Sequence, residues 1–260
     1  MTRPVAVVTG ASAGIGDAFA RLLAARAYDV VVVARDVARL EALAKELHDR
    51  ENVDVEVMGA DLTDPAPLKR VEQRLSDPMR PIEILINNAG FGVYGAFHES
   101  DVEAEMRVVQ LNVLALTRLT RVALGPMVQR GEGAILNVSS IGGFQPTPMM
   151  ATYGATKAYV TSFTQSVHEE VANSGVKVSC LCPGFTRTEF QQRSNIEAAN
   201  MPGFVWQTAE EVAAAGLAGL LKNRALIVPG ALNKMTASAV GVMPNVVARK
   251  TSALMAKFYK

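Results

Sequence analysis

Short runs of β-branched and apolar residues alternate along this chain with longer stretches in which apolar positions recur every three or four residues. The first kind predicts strands at Val5 to Thr9, Val30 to Ala34, Val53 to Met58, Ile82 to Ile86, Ala134 to Val138, Val176 to Leu181 and Leu226 to Val228. The second predicts helices at Ile15 to Arg26, Val37 to Arg50, Pro65 to Ser76, Val102 to Arg130, Tyr153 to Asn173 and Ala209 to Lys222. Strand and helix in strict alternation imply right-handed crossovers, which lay helices on both faces of a parallel sheet. The expected fold is α/β: a doubly wound parallel sheet of seven strands.

At 260 residues the chain suits a single domain, 1–260, and it contains no internal repeat, low-complexity tract or linker. Its 26 Lys and Arg against 25 Asp and Glu give a net charge of +1, so no charge excess argues for nucleic acid or an anionic membrane. Cys180 and Cys182 fall on a predicted buried strand without metal-ligand partners and read as reduced core residues of a cytoplasmic protein. Thr2-Arg3-Pro4 lead directly into the first strand, with no signal-peptide pattern, and no continuous apolar run reaches about 18 residues. Stable membrane insertion is not expected. His98 and His168 have no nucleophile or carboxylate constellation near them in sequence, and His48 sits in a charged helical face.

In a doubly wound sheet the ligand crevice lies at the carboxyl ends of the strands, and the unusual residues of this chain cluster there. After the first strand comes Thr9-Gly-Ala-Ser-Ala-Gly-Ile-Gly16, with glycines at 10, 14 and 16 opening a helix. Glycine permits the tight turn and close approach of a pyrophosphate, whose charge the helix N-terminus receives. The second strand ends Ala34-Arg35-Asp36. Arginine there suits the 2′-phosphate of NADP, whereas Asp36 either bonds the ribose of NAD or caps the next helix. Asp61, after the third strand, is read either as an adenine contact or as a helix cap. The fourth strand runs into Asn87-Asn88-Ala89-Gly90, the fifth into Ser139-Ser140 and the sixth into Cys182-Pro183-Gly184. Tyr153 and Lys157, four apart on one helix, form a candidate proton-transfer pair. A free tyrosine titrates at about 10, so a neighbouring cation is needed to favour the phenolate, and one lysine alone would hardly suffice.

These residues, in this order, resemble the short-chain dehydrogenase/reductases in their compact single-domain branch, a Rossmann fold, over about Val5 to Val228. The resemblance implies catalytic roles for Asn112, Ser140, Tyr153 and Lys157, Ser140 fitting the family spacing better than Ser139. It implies cofactor contacts from Gly10, Ser12, Gly14, Ile15, Gly16, Arg35, Asp61, Leu62, Asn88, Ala89, Gly90, Tyr153, Lys157, Pro183, Gly184, Thr186 and Thr188, with Pro183-Gly184 and Thr188 matching the segment that holds the nicotinamide carboxamide. Tyr153 would exchange a proton with the substrate oxygen, Lys157 would lower its pKa with help from the oxidised nicotinamide, Ser140 would orient the carbonyl, and Asn112 would hold a relay water. The position before the middle glycine, basic in some NADP-preferring relatives, is Ala13 here, so NADP(H) over NAD(H) rests on Arg35.

The implied activity is NADPH-dependent reduction of a ketone or aldehyde, with a non-catalytic NADP-binding regulator or a cofactor-assisted epimerase as alternatives. Substrate choice is expected at Phe91 to Phe97, Gly143 to Met150 and a lid at about 185–207, where Phe144, Met149, Met150, Phe185, Phe190, Phe204 and Trp206 suit a hydrophobic carbonyl or alcohol substrate. A C-terminal helical tail at about 231–260, carrying Arg249, Lys250, Lys257 and Lys260, either caps the crevice, covers a subunit interface or touches a membrane. By the same resemblance the long helices imply a homodimer, possibly a homotetramer.

Overall fold

Seven parallel strands in the order β3-β2-β1-β4-β5-β6-β7 make the sheet of the computed structural model, which describes residues 3–194 and 202–255. They are β1 (Val5–Thr9), β2 (Asp29–Ala34), β3 (Val55–Gly59), β4 (Ile82–Asn87), β5 (Gly133–Val138), β6 (Val176–Leu181) and β7 (Leu226–Ile227). Strand β1 pairs with β2 on one side and β4 on the other, so the chain reverses its direction of growth there. That reversal opens a crevice at the C-terminal ends of β1 and β4. Strand β3 begins two residues later than its apolar run, because Val53 is buried in the core before the ladder starts.

Helices α1 (Gly14–Ala24), α2 (Val37–Glu51) and α8 (Ala209–Leu221) cover one face; α3 (Pro65–Leu75), α5 (Leu116–Arg130) and α6 (Ala151–Glu170) cover the other. Local chemistry sets their ends. Asp36 caps α2 by accepting from Arg39 N at 3.1 Å, and Asn52 closes it in the left-handed region at φ 52°. Thr208 and Glu211 form a reciprocal capping box on α8.

The predicted helix Val102 to Arg130 is one rod with a fault in it: α4 (Val102–Val109) passes through a π-helical turn, Gln110–Ala115, into α5. Its 29 residues have the length and hydropathy of a membrane-crossing helix. Arg107, Arg118 and Arg121 interrupt it, however, and Leu119, Ala123 and Met127 pack on the sheet. Beyond the short α7 (Phe190–Arg193), the tail forms α9 (Ala231–Val242) and α10 (Asn245–Met255). Lys257 and Lys260 of the tail and residues 195–201 of the lid lie outside the described residues.

Candidate active site

The last residue of β1 fastens two strand ends together. Thr9 Oγ1 donates to Ile86 O at 3.3 Å and accepts from Asn88 N and Ala89 N, both at 3.0 Å. Asn88 returns the tie, its Nδ2 donating to Thr9 O at 2.9 Å. The glycine loop between them is tight: Gly10 and Gly14 have φ of 68° and 58°, and a Cβ on Gly16 would stand 2.2 Å from Gly10 O. Ala13, at the N-cap of α1, has no side chain that could satisfy the first-turn N–H groups. An anionic pyrophosphate beside Ser12 and Ile15 fits that cradle. Thr188 folds over it from the β6 side, close enough that a Cβ on Gly14 would meet its methyl at 2.9 Å.

After β2, Asp36 is engaged as a cap, and the Arg35 side chain beside it is three-quarters exposed. Arg35 Nη1 stands 3.8 Å from Asp61 Oδ2. Asp61 does not cap α3, whose N-cap is Asp64; instead its Oδ1 closes a local turn, accepting from Thr63 N at 2.9 Å and Thr63 Oγ1 at 2.7 Å. Leu62 buries its side chain in the core.

Between β4 and β6 the structure gathers Asn112, Ser140, Tyr153 and Lys157. The Tyr153 phenol lies beside the Ser140 hydroxyl, which accepts from Gly142 N at 3.1 Å. Ser139 points the other way, bonding Lys157 O at 2.7 Å and Thr161 Oγ1 at 2.8 Å, so it holds helix α6 and leaves Ser140 to face the tyrosine. Lys157, 4% exposed, donates to Val138 O at 2.9 Å and lies 5.6 Å from the centroid of the Tyr153 ring. Asn112 sits in the π turn with both carboxamide donors used: Nδ2 donates to Phe91 O (2.9 Å) and Thr156 Oγ1 (3.1 Å), and Oδ1 accepts from Phe91 N (3.2 Å). Its side chain therefore fixes the loop after β4. Gly90 is pinched between these groups; a Cβ there would stand 3.1 Å from Asn112 Oδ1 and 3.3 Å from Lys157 Nζ.

Burial pushes the Tyr153 phenol up to about 12, against a smaller lowering by the neighbouring Ser140 hydroxyl. Burial likewise pushes the Lys157 ammonium down to about 8. Lys157 does not offset that burial, because its ammonium is itself desolvated and donates to Val138 O.

Two of the expected substrate walls are joined, Gly95 N donating to Met149 O at 2.8 Å, and Met149 is held at φ 69°, strained backbone for a residue with a side chain. A Cβ on Gly92 would stand 2.7 Å from Met150 Cε and 2.9 Å from Tyr153 Cδ2, and the Phe190 ring centroid lies 5.4 Å from that of Tyr153. Met150 and Phe190 therefore border the tyrosine. Phe185 and Trp206 pack on each other at 5.5 Å, while Phe204 is exposed. A cleft of about 460 Å³ at the opposite end of the sheet, lined by Asp29, Lys45, His48, Glu56 and Arg80, holds none of this chemistry.

Sequence reading missed a buried polar network under the site. Asn87 Nδ2 donates to Thr120 Oγ1 (3.0 Å) and Asn137 Oδ1 (2.9 Å), and Asn137 Nδ2 donates to Thr164 Oγ1 (3.1 Å). The signal was present: Asn87 and Asn137 each end an apolar run at a position whose i−2 neighbour faces the core.

A family model described as short chain dehydrogenase matches residues 4–199. Among solved structures, a short-chain dehydrogenase from Sphingobium yanoikuyae in complex with NADPH is 39% identical, with TM-score 0.83 and coverage of 93% of this chain and 96% of that one. The bulky-bulky ketone specific alcohol dehydrogenase of Comamonas testosteroni is 33% identical, with TM-score 0.79 and coverage of 96% and 99%. The granaticin polyketide synthase putative ketoacyl reductase 1 of Streptomyces violaceoruber is 35% identical over 211 residues, 80% of this chain and 76% of that protein. With its sheet order, its glycine loop and these matches, the chain belongs to the short-chain dehydrogenase/reductase family of dinucleotide-binding oxidoreductases.

Proposed function

We propose that this protein is an NADPH-dependent carbonyl reductase acting on a hydrophobic ketone or aldehyde, with Tyr153 as general acid. The observation that carries the reading is the Ser140–Tyr153 hydroxyl pair at the strand ends, with Lys157 beside it. Bound NADPH supplies the hydride. The chain's residues then have distinct tasks. Ser140 and Tyr153 present two O–H donors to one carbonyl oxygen, polarising it, and Tyr153 gives up its proton as the alkoxide forms. Lys157, reorienting from Val138 O, stabilises the phenolate left behind. Asn112 keeps the β4 loop and α6 in register for that transfer. Met150 and Phe190 supply the apolar wall, and the ketone-specific and ketoacyl-reducing relatives support a bulky substrate.

The largely exposed Arg35, held only by a 3.8 Å ion pair with Asp61, the engaged Asp36 and the NADPH in a 39% identical neighbour support NADP over NAD. The exposed apolar side chains Met106, Leu114, Val128 and Tyr159 on α4 to α6 support a homodimer built on these helices. The test is cofactor oxidation by the purified protein, NADPH and NADH side by side, across aldehydes, bulky ketones and 3-ketoacyl thioesters. Turnover with NADPH, reduced about tenfold or more relative to NADH by Arg35→Glu, is expected. Wild-type preference for NADH would overturn the cofactor assignment, and tight NADPH binding with no turnover on any substrate would favour a cofactor-sensing protein.

A further inference from the structure

The tail is tied into the cofactor crevice by one buried side chain. Asn233, on the first turn of α9, is 8% exposed and donates through Nδ2 to Gln207 Oε1 and to Pro229 O, both at 2.9 Å. Its carboxamide lies flat against Gly184: a Cβ there would stand 2.4 Å from Asn233 Nδ2, 2.5 Å from Oδ1 and 2.6 Å from Cγ. Gln207 in turn runs beside the same segment, its N donating to Phe185 O and its O accepting from Arg187 N, both at 2.9 Å. Thr186 Oγ1 donates to Gly184 O at 3.1 Å, and on the catalytic side Ile141 N donates to Pro183 O at 2.9 Å. One amide group thus joins the end of β6, the returning lid, the end of β7 and the tail.

We propose that Asn233 is a positioning residue that fixes the backbone of Pro183 to Thr188 for the nicotinamide end of the cofactor, which makes the tail a working part of the site. The inference rests on the reductase reading above. Its physical basis is that this segment is held on one side by the loop after Ser140 and on the other by Gln207, whose side chain Asn233 anchors while its own carboxamide packs against Gly184. Removing the carboxamide leaves a gap against Gly184 and strips Gln207 Oε1 of its donor, freeing the segment to shift by the few tenths of an ångström that degrade a preorganised site.

The test compares wild type with Asn233→Ala in two binding titrations, with NADPH and with 2′-phospho-ADP-ribose, which lacks the nicotinamide. The expected result is about five- to twentyfold weaker NADPH binding with fragment binding unchanged. Equal loss for both ligands would mean general damage and overturn the proposal, as would no loss for either. A wild-type chain that binds the fragment but gains nothing from the nicotinamide would overturn it while leaving the dinucleotide site standing; one that binds neither would overturn the reductase reading as well. Should Asn233→Ala fold poorly, Gly184→Ala provides the second arm: its penalty on NADPH affinity is expected to shrink when combined with the milder Asn233→Ser, because the clash is with this side chain. Additive penalties would contradict the contact.

Discussion

The two faces of the sheet are packed by different physics. Toward α1, α2 and α8, successive strands present Val8, Val32, Ile86, Leu136, Val138 and Leu181 to Phe19, Leu40, Val212 and Leu217, apolar to the strand ends. Toward α5 and α6 the strands begin apolar, with Val7, Leu85 and Ile135, and then turn polar two residues later at Thr9, Asn87 and Asn137. Apolar contact is non-directional, so the first face holds the sheet together without specifying its neighbours to fractions of an ångström. Hydrogen bonds have angles and lengths, so the second face fixes where α6 lies, and Tyr153 and Lys157 ride on α6. Stability is concentrated on one side and precision on the other.

Leu217→Ala should cost the dry face about 2–5 kcal/mol of stability in denaturant titration while kcat at permissive temperature stays within about threefold. A large kcat loss would break the separation. On the polar face, the Lys157 ammonium is held at about 8 by burial against 10.5 when free. Below about pH 8 both folded and unfolded chains are protonated there, and the buried charge costs roughly 3 kcal/mol. Because the unfolded chain binds more protons between about pH 8 and 10.5, stability should rise with pH across that window. Lys157→Met, inactive, should be the more stable below it and lose that rise; parallel pH curves would contradict the buried-charge account. Asn137→Leu should cost about 1–3 kcal/mol by stranding Asn87 and Thr164, yet lower kcat about tenfold, the reverse weighting of Leu217→Ala. The smallest effect concerns an exception on the dry face, Ser179, whose buried hydroxyl has no partner among the described residues. Ser179→Ala should raise stability by about 1 kcal/mol with rates unchanged, and a loss would reveal a bond there.

This division explains what the chain discloses before it folds. Strands β1 and β6 are legible to the residue because short runs rich in valine and other apolar residues, bounded by turn residues, are local patterns. The glycine loop, Tyr153 with Lys157, and the placing of Asp36 at a helix start are likewise local. The π turn around Asn112 is not, since its apolar spacing passes for continuous helix. Nor are Asn137 with Asn87 or Asn233 with Gly184, whose partners lie about 50 residues away. The unlowered tyrosine was illegible for a different reason: sequence places a cation nearby, but only coordinates reveal that burial outweighs it. Met149 at φ 69° carries no local mark at all, because glycine or asparagine would be the ordinary choice there.

The most direct measurement is single-turnover hydride transfer from prebound NADPH to a bulky ketone in wild type and Tyr153→Phe, with NADPH affinity recorded alongside. The account predicts a loss of about 10²–10⁴-fold in the transfer rate with affinity essentially unchanged. Transfer by Tyr153→Phe within about threefold of wild type would contradict the assignment of Tyr153 as the proton donor that the polar face exists to position.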